Sequence, residues 1–410
     1  MSWHANNLTN QLSGQRAIFG LTALVNPNDV HTPGPVHKPS KHVYFQGRTP
    51  DGADDGRIHE FSSIGSTAPW HHSDLTSKTG APTAQGVPSS YMFKGQLPDG
   101  RTKHVIYQGF DPGDQGRIHE LSSNGDWQHN DLTSLAQNAP RTLNDVFGYE
   151  YSFFDTIHQQ NIISRRVAYV TVDHDIQLLH WEPSDGWHKT VLAHHTGAFV
   201  PPTAYAFTVQ GQAIQGQASQ RILYLTPDDV NSDVQRLHEL TWNEKGPNNS
   251  HWQTKDLTLL TNAPRLAGSA PVGLMHDLEF TLHVFYQSAG QHLFELYWNN
   301  LGWHVNDLTS LTGAPPAAGS PVAYVHLGQG TLNVNYPGFD GHIHALWRDE
   351  GNTWLPANHL DLTVTAGAPP TSGQGLVGFV FRDLTQHIFY IADTSPNSHI
   401  GDVIELTDET

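Results

Sequence analysis

No cysteine occurs anywhere in the 410 residues. That excludes disulfides, thiolate metal sites and a cysteine nucleophile. Basic residues are scarce: 21 Lys and Arg stand against 39 Asp and Glu, a formal net charge of −18. This balance opposes a nucleic-acid partner, because phosphate-backbone binding draws on clustered Lys and Arg. No apolar run approaches the roughly 18–20 residues a helix needs to span a bilayer, so membrane insertion is not expected. The stretch from Met1 to Gln15 has neither a basic start nor an apolar core, so no conventional signal peptide is expected. Cytoplasmic storage and release by a non-classical route stay equally open. Also missing is a capped amphipathic helix of three or more turns; the nearest stretch, 142–163, lacks a clean 3.6-residue period. Gly-x-Ser-x-Gly, His-Glu-x-x-His and P-loop motifs are absent too.

What the chain has in abundance is glycine (37), proline (26) and aromatic residues, 11 of them tryptophan. It also repeats itself. A Trp followed by three variable residues and Asp-Leu-Thr appears at Trp70–Asp74, Trp127–Asp131, Trp252–Asp256 and Trp303–Asp307. Degenerate copies start at Trp3, Trp187 and Trp354, which makes seven. A second phrase precedes each: Ile58-His59-Glu60-Phe61, Ile118-His119-Glu120-Leu121, Leu179-His180-Trp181, Leu237-His238-Glu239-Leu240, Leu293-Phe294-Glu295-Leu296, Ile343-His344-Ala345-Leu346 and Val403-Ile404-Glu405-Leu406. Upstream of it lie two alternating apolar runs, such as those around His42-Val-Tyr-Phe and Pro321-Val-Ala-Tyr-Val. Period-2 runs of Val, Ile, Tyr and Phe between Gly, Asp, Asn and Pro read as strands, four per unit.

The leucine of the Trp phrase, or its Val191 counterpart, recurs every 51 to 67 residues. Four-stranded units repeated radially make a β-propeller. The chain ends shortly after Leu406, without a Trp strand, and begins with Trp3, without the strands that should precede it. The expected fold is therefore all-β, a single seven-bladed propeller over 1–410, whose N-terminal strand closes the last blade. Blades are expected near 15–80, 86–138, 142–196, 201–262, 268–313, 318–367, and 374–410 plus 1–10. The segments 26–41, 142–163 and 209–220 read as insertions on the surface.

Each recurring polar residue has a plain structural explanation. A buried Trp N–H needs an acceptor, a buried His needs a partner, and the Asp of Asp-Leu-Thr can cap turn amides. A second explanation starts from Trp181, Trp242, Trp298 and Trp347, which sit near the turn between third and fourth strands. Flat aromatic surfaces beside polar groups suit a pyranose, whose C–H face packs on a ring while its hydroxyls take fixed donors and acceptors. Arg57-Ile-His59-Glu60, Arg117-Ile-His119-Glu120 and Arg236-Leu-His238-Glu239 supply such groups. The candidate sugar-binding residues are these nine and Glu295, with Trp70, Trp127, Trp242, Trp252, Trp298, Trp303, Trp347 and Trp354. No catalytic residue, metal ligand or cofactor is assigned. A glycosidase needs one defined carboxylate pair, whereas acids here recur equally over several repeats. Asp349-Glu-Gly-Asn-Thr-Trp354 matches part of the sialidase Asp-box turn, but only once. The 28 histidines offer no i, i+4 pair with a carboxylate partner, and His71-His72 and His194-His195 alternate faces on a strand.

Together the phrases resemble the PLL-like family of seven-bladed propeller lectins from insect-pathogenic bacteria. The clearest copies are Gly116-Arg-Ile-His-Glu-Leu121 with Trp127–Thr133, and Gly302-Trp-His-Val-Asn-Asp307 running on to Gly-Ala-Pro315. The resemblance covers essentially the whole chain. It implies a multivalent lectin that binds fucose and O-methylated sugars between adjacent blades, without turnover, on cell-surface glycans. Blades one, two and four keep Arg-x-His-Glu, whereas Trp181, Phe294, Ala345 and Ile404 break the pattern in the others. Fewer than seven competent sites are therefore expected. Two other functions stay open: a propeller scaffold for a protein partner and, with less support, a carbohydrate-active hydrolase or lyase. Self-association stays open as well.

Overall fold

The computed structural model describes residues 2–12, 16–29, 38–48, 54–65, 68–94, 101–155, 160–193, 207–214, 217–227, 234–243, 251–276, 279, 281–299, 301–326, 328–348, 353–373, 375–381, 384–393 and 400–409. They form seven antiparallel sheets. Blade 5 shows the plan: Val272–His276, Thr281–Gln287, Leu293–Asn299 and Gly302–Asp307 follow one another as hairpins from the inner to the outer edge. Each innermost strand touches the innermost strand of the next blade, and the seventh returns to the first. The chain is a seven-bladed β-propeller.

Closure works as the repeat requires. Blade 7 contains Val377–Val380, Gln386–Ile391 and Val403–Glu409, and its outer strand is the N-terminal Ser2–Asn7. That strand pairs from Ser2↔Glu409 to Asn7↔Ile404. In blade 1 the short strand Ile400–Gly401 adds a fifth member beside Arg16–Asp29.

Burial follows from the stacking of sheets. Second strands are covered on both faces, so Thr331–Pro337 and Gln386–Ile391 are buried throughout. Apolar residues from neighbouring blades mesh in each seam; Leu223, Leu225 and Leu237 of blade 4 meet Val284, Tyr286 and Leu296 of blade 5. In five blades the second-strand tyrosine donates its hydroxyl hydrogen to the proline carbonyl of the preceding Ala-Pro turn. Tyr107, Tyr169, Tyr286, Tyr336 and Tyr390 do so at 2.6–3.1 Å.

The Asp-Leu-Thr phrase is a single turn of helix after the outer strand, too short to show a helical period. Asp74, Asp131, Asp256, Asp307 and Asp361, and Asn7 in the closing strand, are N-caps whose side chains accept from the backbone N–H three residues on. The following leucine is fully buried in all six. The threonine then accepts a third-strand N–H at 2.8–2.9 Å, as Thr76 does from Ile58 and Thr9 from Val403.

One expectation is corrected. The described strand residues of the segments 26–41, 142–163 and 209–220 are not surface insertions. They build the inner hairpins of blades 1, 3 and 4: Arg16–Asp29 with Lys38–Arg48, Phe147–Asp155 with Gln160–Val170, and Phe207–Ile214 with Gln217–Pro227. Gln, Asn and Gly interrupt the apolar alternation in these strands, which weakens their signature in the sequence. Residues 194–195 and the Asp349–Asn352 part of the Asp-box lie outside the described residues.

Candidate functional site

The strongest recurring polar arrangement lies at the seams between blades. On the third strand, Glu60, Glu120, Glu239, Glu295 and Glu405 turn into the seam, none more than 4% exposed. An ionised carboxylate cannot be buried without partners, and Glu60, Glu120, Glu295 and Glu405 have several. From the second strand, His42, His104, His283 and His387 place Nδ1 2.8–2.9 Å from the carboxylate. In blade 4, Arg221 takes the histidine's position and donates to Glu239 at 2.5 Å. From the outer strand, the amides of Asn130, Asn306 and Asn6 donate to Glu120, Glu295 and Glu405 at 3.0, 2.7 and 3.3 Å.

The next blade completes the clusters of Glu60, Glu120, Glu295 and Glu405. The indole N–H of Trp354 donates to Glu295 at 2.8 Å and that of Trp70 to Glu405 at 3.0 Å. Lys41, Lys103 and Arg165 approach Glu405, Glu60 and Glu120 at 3.5, 3.6 and 3.3 Å. The same three cations lie over Trp70, Trp127 and Trp187 at 5.1, 5.3 and 5.1 Å. The His-Glu phrase and the Trp phrase are thus two halves of one inter-blade contact. Burial alone would raise the Glu60 carboxyl; the His42 hydrogen bond and the Lys103 charge outweigh it and hold the group at about 2. Glu120, Glu295 and Glu405 are likewise held low by their partners against burial.

Where the glutamate is missing, its partners change with it. Blade 6 has Ala345 and, at the histidine position, Asn333. The indole N–H of Trp3, in the next blade, is consequently buried without an acceptor. In blade 3 the register places Leu178, not Trp181, where the acid stands in blade 2. Trp181 pairs with Trp187 as Trp242 does with Trp252, and Arg166, at the histidine's position, turns to Ser164 and Gln220 at 3.0 and 3.1 Å.

The Arg and His of the phrase sit elsewhere. Arg57, Arg117 and Arg236 donate to the helix-capping Asp74, Asp131 and Asp256 at 2.9, 3.1 and 3.3 Å. His59 and His119 are buried and run in relays: Nδ1 faces His72 and His129 at 3.0 Å, while Nε2 lies 3.1 Å from Asp55 and 3.3 Å from Asp114. These rings lie against Gly47 and Gly109, where a Cβ would sit within 3 Å of the imidazole. The His59–Asp55 pair is an i, i+4 contact that the sequence reading did not find. His238 places Nε2 2.7 Å from the Thr226 hydroxyl and stacks on Tyr224.

Tryptophans divide into two groups. Trp70 and Trp354 are core, at 7% and 4% exposure. Trp127, Trp252, Trp303, Trp242, Trp298 and Trp347 are half-buried. On outer hairpins the latter meet across strands, Trp242↔Trp252 and Trp298↔Trp303, whereas in blade 3 the partly exposed Trp181 pairs with the buried Trp187. Arg221 of blade 4 lies over the Trp298 ring of blade 5 at 5.4 Å. Sequence reasoning missed the second-strand His42, His104, His283 and His387 and the cations Lys41, Lys103 and Arg165. Their signal was present: a polar residue opens the same apolar run in every repeat.

The fold and these seams define a seven-bladed β-propeller with a polar inter-blade contact repeated around the ring. No protein-family description and no curated protein matches the chain. Among solved structures it is similar to AofleA from Arthrobotrys oligospora, at 15% identity over 88% of this chain and 89% of that one, TM-score 0.47. It is also similar to the Aleuria aurantia lectin, described as a six-bladed β-propeller with a novel fucose recognition mode, at 13% identity over 83% and 96%, TM-score 0.49. The NanB sialidase from Streptococcus pneumoniae is similar at 9% identity over 98% and 96%, TM-score 0.43.

Proposed function

We propose that the chain is a multivalent carbohydrate-binding protein that holds glycans at its blade seams without turning them over. One observation carries this reading. Half-buried indoles meet in cross-strand pairs on the outer hairpins of blades 4 and 5, beside polar groups whose positions are fixed by buried hydrogen bonds. A partly exposed aromatic pair flanked by ordered donors is what a sugar ring uses: apolar face on the indole, hydroxyls on the rim. The buried Glu60, Glu120, Glu239 and Glu295 act in this reading by positioning Trp, Asn, Lys and Arg side chains. Arg57, His59, Arg117, His119, Arg236 and His238 order the rim turns, and Trp242, Trp298, Trp303 and Trp347 supply contact surface. The resemblance to PLL-like lectins supports fucosylated and O-methylated glycans as the ligand class.

A glycan array tests this together with two variants. Fucosylated or methylated glycans should be retained and recovered intact. Trp298→Ala should weaken retention while shifting the thermal melt little. Trp354→Ala, which empties a core site, should cost roughly 3–5 kcal/mol of stability. A blank array, or ligand recovered as cleaved product, would contradict the proposal.

A further inference from the structure

One turn of blade 6 departs from its counterparts in a chemically pointed way. Blade 1 reads Asp55-Gly-Arg57-Ile-His59 and blade 6 reads Asp340-Gly-His342-Ile-His344. Blade 2 keeps the arginine, as Arg117. There the guanidinium ties two carboxylates together, with Nε 3.2 Å from Asp114 and 3.1 Å from Asp131. Blade 6 retains both carboxylates, as Asp340 and the helix-capping Asp361, but puts an imidazole where the permanent cation stood. His342 Nδ1 lies 2.7 Å from Asp361 Oδ2 and 4.0 Å from Asp340 Oδ2. His344 Nε2 lies 3.0 Å from Asp340 Oδ2. The ligand atoms of Asp340, His344 and Asp361 all fall within 4.8 Å of one another.

We propose that Asp340, His342, His344 and Asp361 form a site for a divalent transition-metal ion of the zinc type. Four N and O donors at bond lengths of 2.0–2.1 Å stand about 3.3 Å apart in a tetrahedron. Asp340, His344 and Asp361 form the close group, and His342 Nδ1 joins it through the two carboxylates, at 2.7 Å from Asp361 and 4.0 Å from Asp340. The set is two imidazoles and two carboxylates, a mixture that suits zinc better than calcium or magnesium, which prefer oxygen alone. The second shell is in place as well. His344 is buried, and its Nδ1 faces Nε2 of His359 at 3.1 Å, which fixes the ring with Nε2 toward the carboxylates. Gly338 leaves the space beside His344 and Asp340 that a Cβ would fill, at 2.5–2.8 Å from their side-chain atoms. Blade 5 is the internal contrast. It has His292 on Asp307 at 2.8 Å, but Gly290 stands where Asp340 would be and Phe294 where His344 would be. The ion would replace the positive charge that arginine supplies in blades 1 and 2, pinning the third strand to the helix cap.

Calorimetric titration of the full chain with zinc chloride, after chelator treatment, tests the proposal. One ion per chain should bind, and the melting temperature should rise with zinc. His342→Arg, which restores the arrangement of blades 1 and 2, should fold normally and lose binding by about tenfold or more. Asp340→Asn should weaken it as well, while His292→Ala should leave it unchanged. Absence of zinc binding by the unmodified chain, as expected if a protonated His342 alone bridges the carboxylates, would overturn the proposal. So would equal affinity in His342→Arg, which would place the ion on other histidines.

Discussion

A chain lacking residues 1–12 is expected to aggregate or to melt far below the full-length protein. The deletion removes the outer strand of blade 7 and exposes the backbone edge of Val403–Glu409 to pairing with other molecules. It also withdraws Trp3 and Leu8, which are 6% and 0% exposed. Large-to-alanine losses of this kind each cost roughly 2–5 kcal/mol, and here whole residues go. Thr9 no longer accepts the Val403 N–H, and Asn6 no longer donates to Glu405. Since whole domains are stable by only about 5–15 kcal/mol, little should remain. Thermal melts with size-exclusion chromatography check this. A truncated protein that stays monomeric and melts like the full-length chain would contradict the closure.

Glu120→Ala is expected to destabilise the protein by roughly 3–5 kcal/mol, the usual cost of removing one member of a buried charged pair. The substitution strands His104, Asn130 and Arg165, which meet the carboxylate at 2.8, 3.0 and 3.3 Å. Glu120→Gln keeps an acceptor and should cost less. The acid response gives the same result a second readout. Glu60, Glu120, Glu295 and Glu405 are held below their ordinary value in the folded chain, Glu60 at about 2. The unfolded chain therefore takes up protons first as pH falls. The stabilisation is fully present above about 4.5 and is lost as pH drops toward 2, and the loss should be shallower in Glu120→Gln. Urea unfolding at several pH values measures both effects. An alanine variant as stable as the parent would mean that the seam carboxylate has no structural role.

The propeller was readable because its two phrases carry large, invariant tasks. Tryptophan spans the seam, and Asp-Leu-Thr supplies a cap, a buried anchor and a strand acceptor in three residues. Seven copies at similar spacing then left one closed arrangement that uses both ends of the chain. Parts of the inner hairpins of blades 1, 3 and 4 escaped notice because the apolar alternation is weak there: Phe207–Ile214 reads Phe-Thr-Val-Gln-Gly-Gln-Ala-Ile. The seam clusters escaped for a different reason. Glu295 and Trp354 lie 59 residues apart, and Glu405 and Trp70 lie 335 apart, so no local window joins them. Once the blades are stacked, His42 and His104 explain themselves as partners of Glu60 and Glu120. The Arg-x-His-Glu phrase was legible as a unit, but its members serve three places: a helix cap, a histidine relay and a seam. The separation of the His from the Glu follows from strand geometry, because successive side chains point to opposite faces.

The central claim is repeated, weak sugar binding around the ring, and equilibrium calorimetry with methyl α-L-fucoside tests it most directly. A shallow groove with one stacked ring and a few hydroxyl contacts should give a Kd of roughly 10 µM to 1 mM. Several equivalent sites per chain are expected, with one fewer in Trp298→Ala. On a fucosylated surface those sites should act together, with an apparent gain of about 10²–10⁴ that free fucoside at high concentration reverses. A titration showing several weak sites and no released product supports the account. A single tight site per chain untouched by Trp298→Ala, or no heat of binding for any fucoside or methylated sugar, contradicts it.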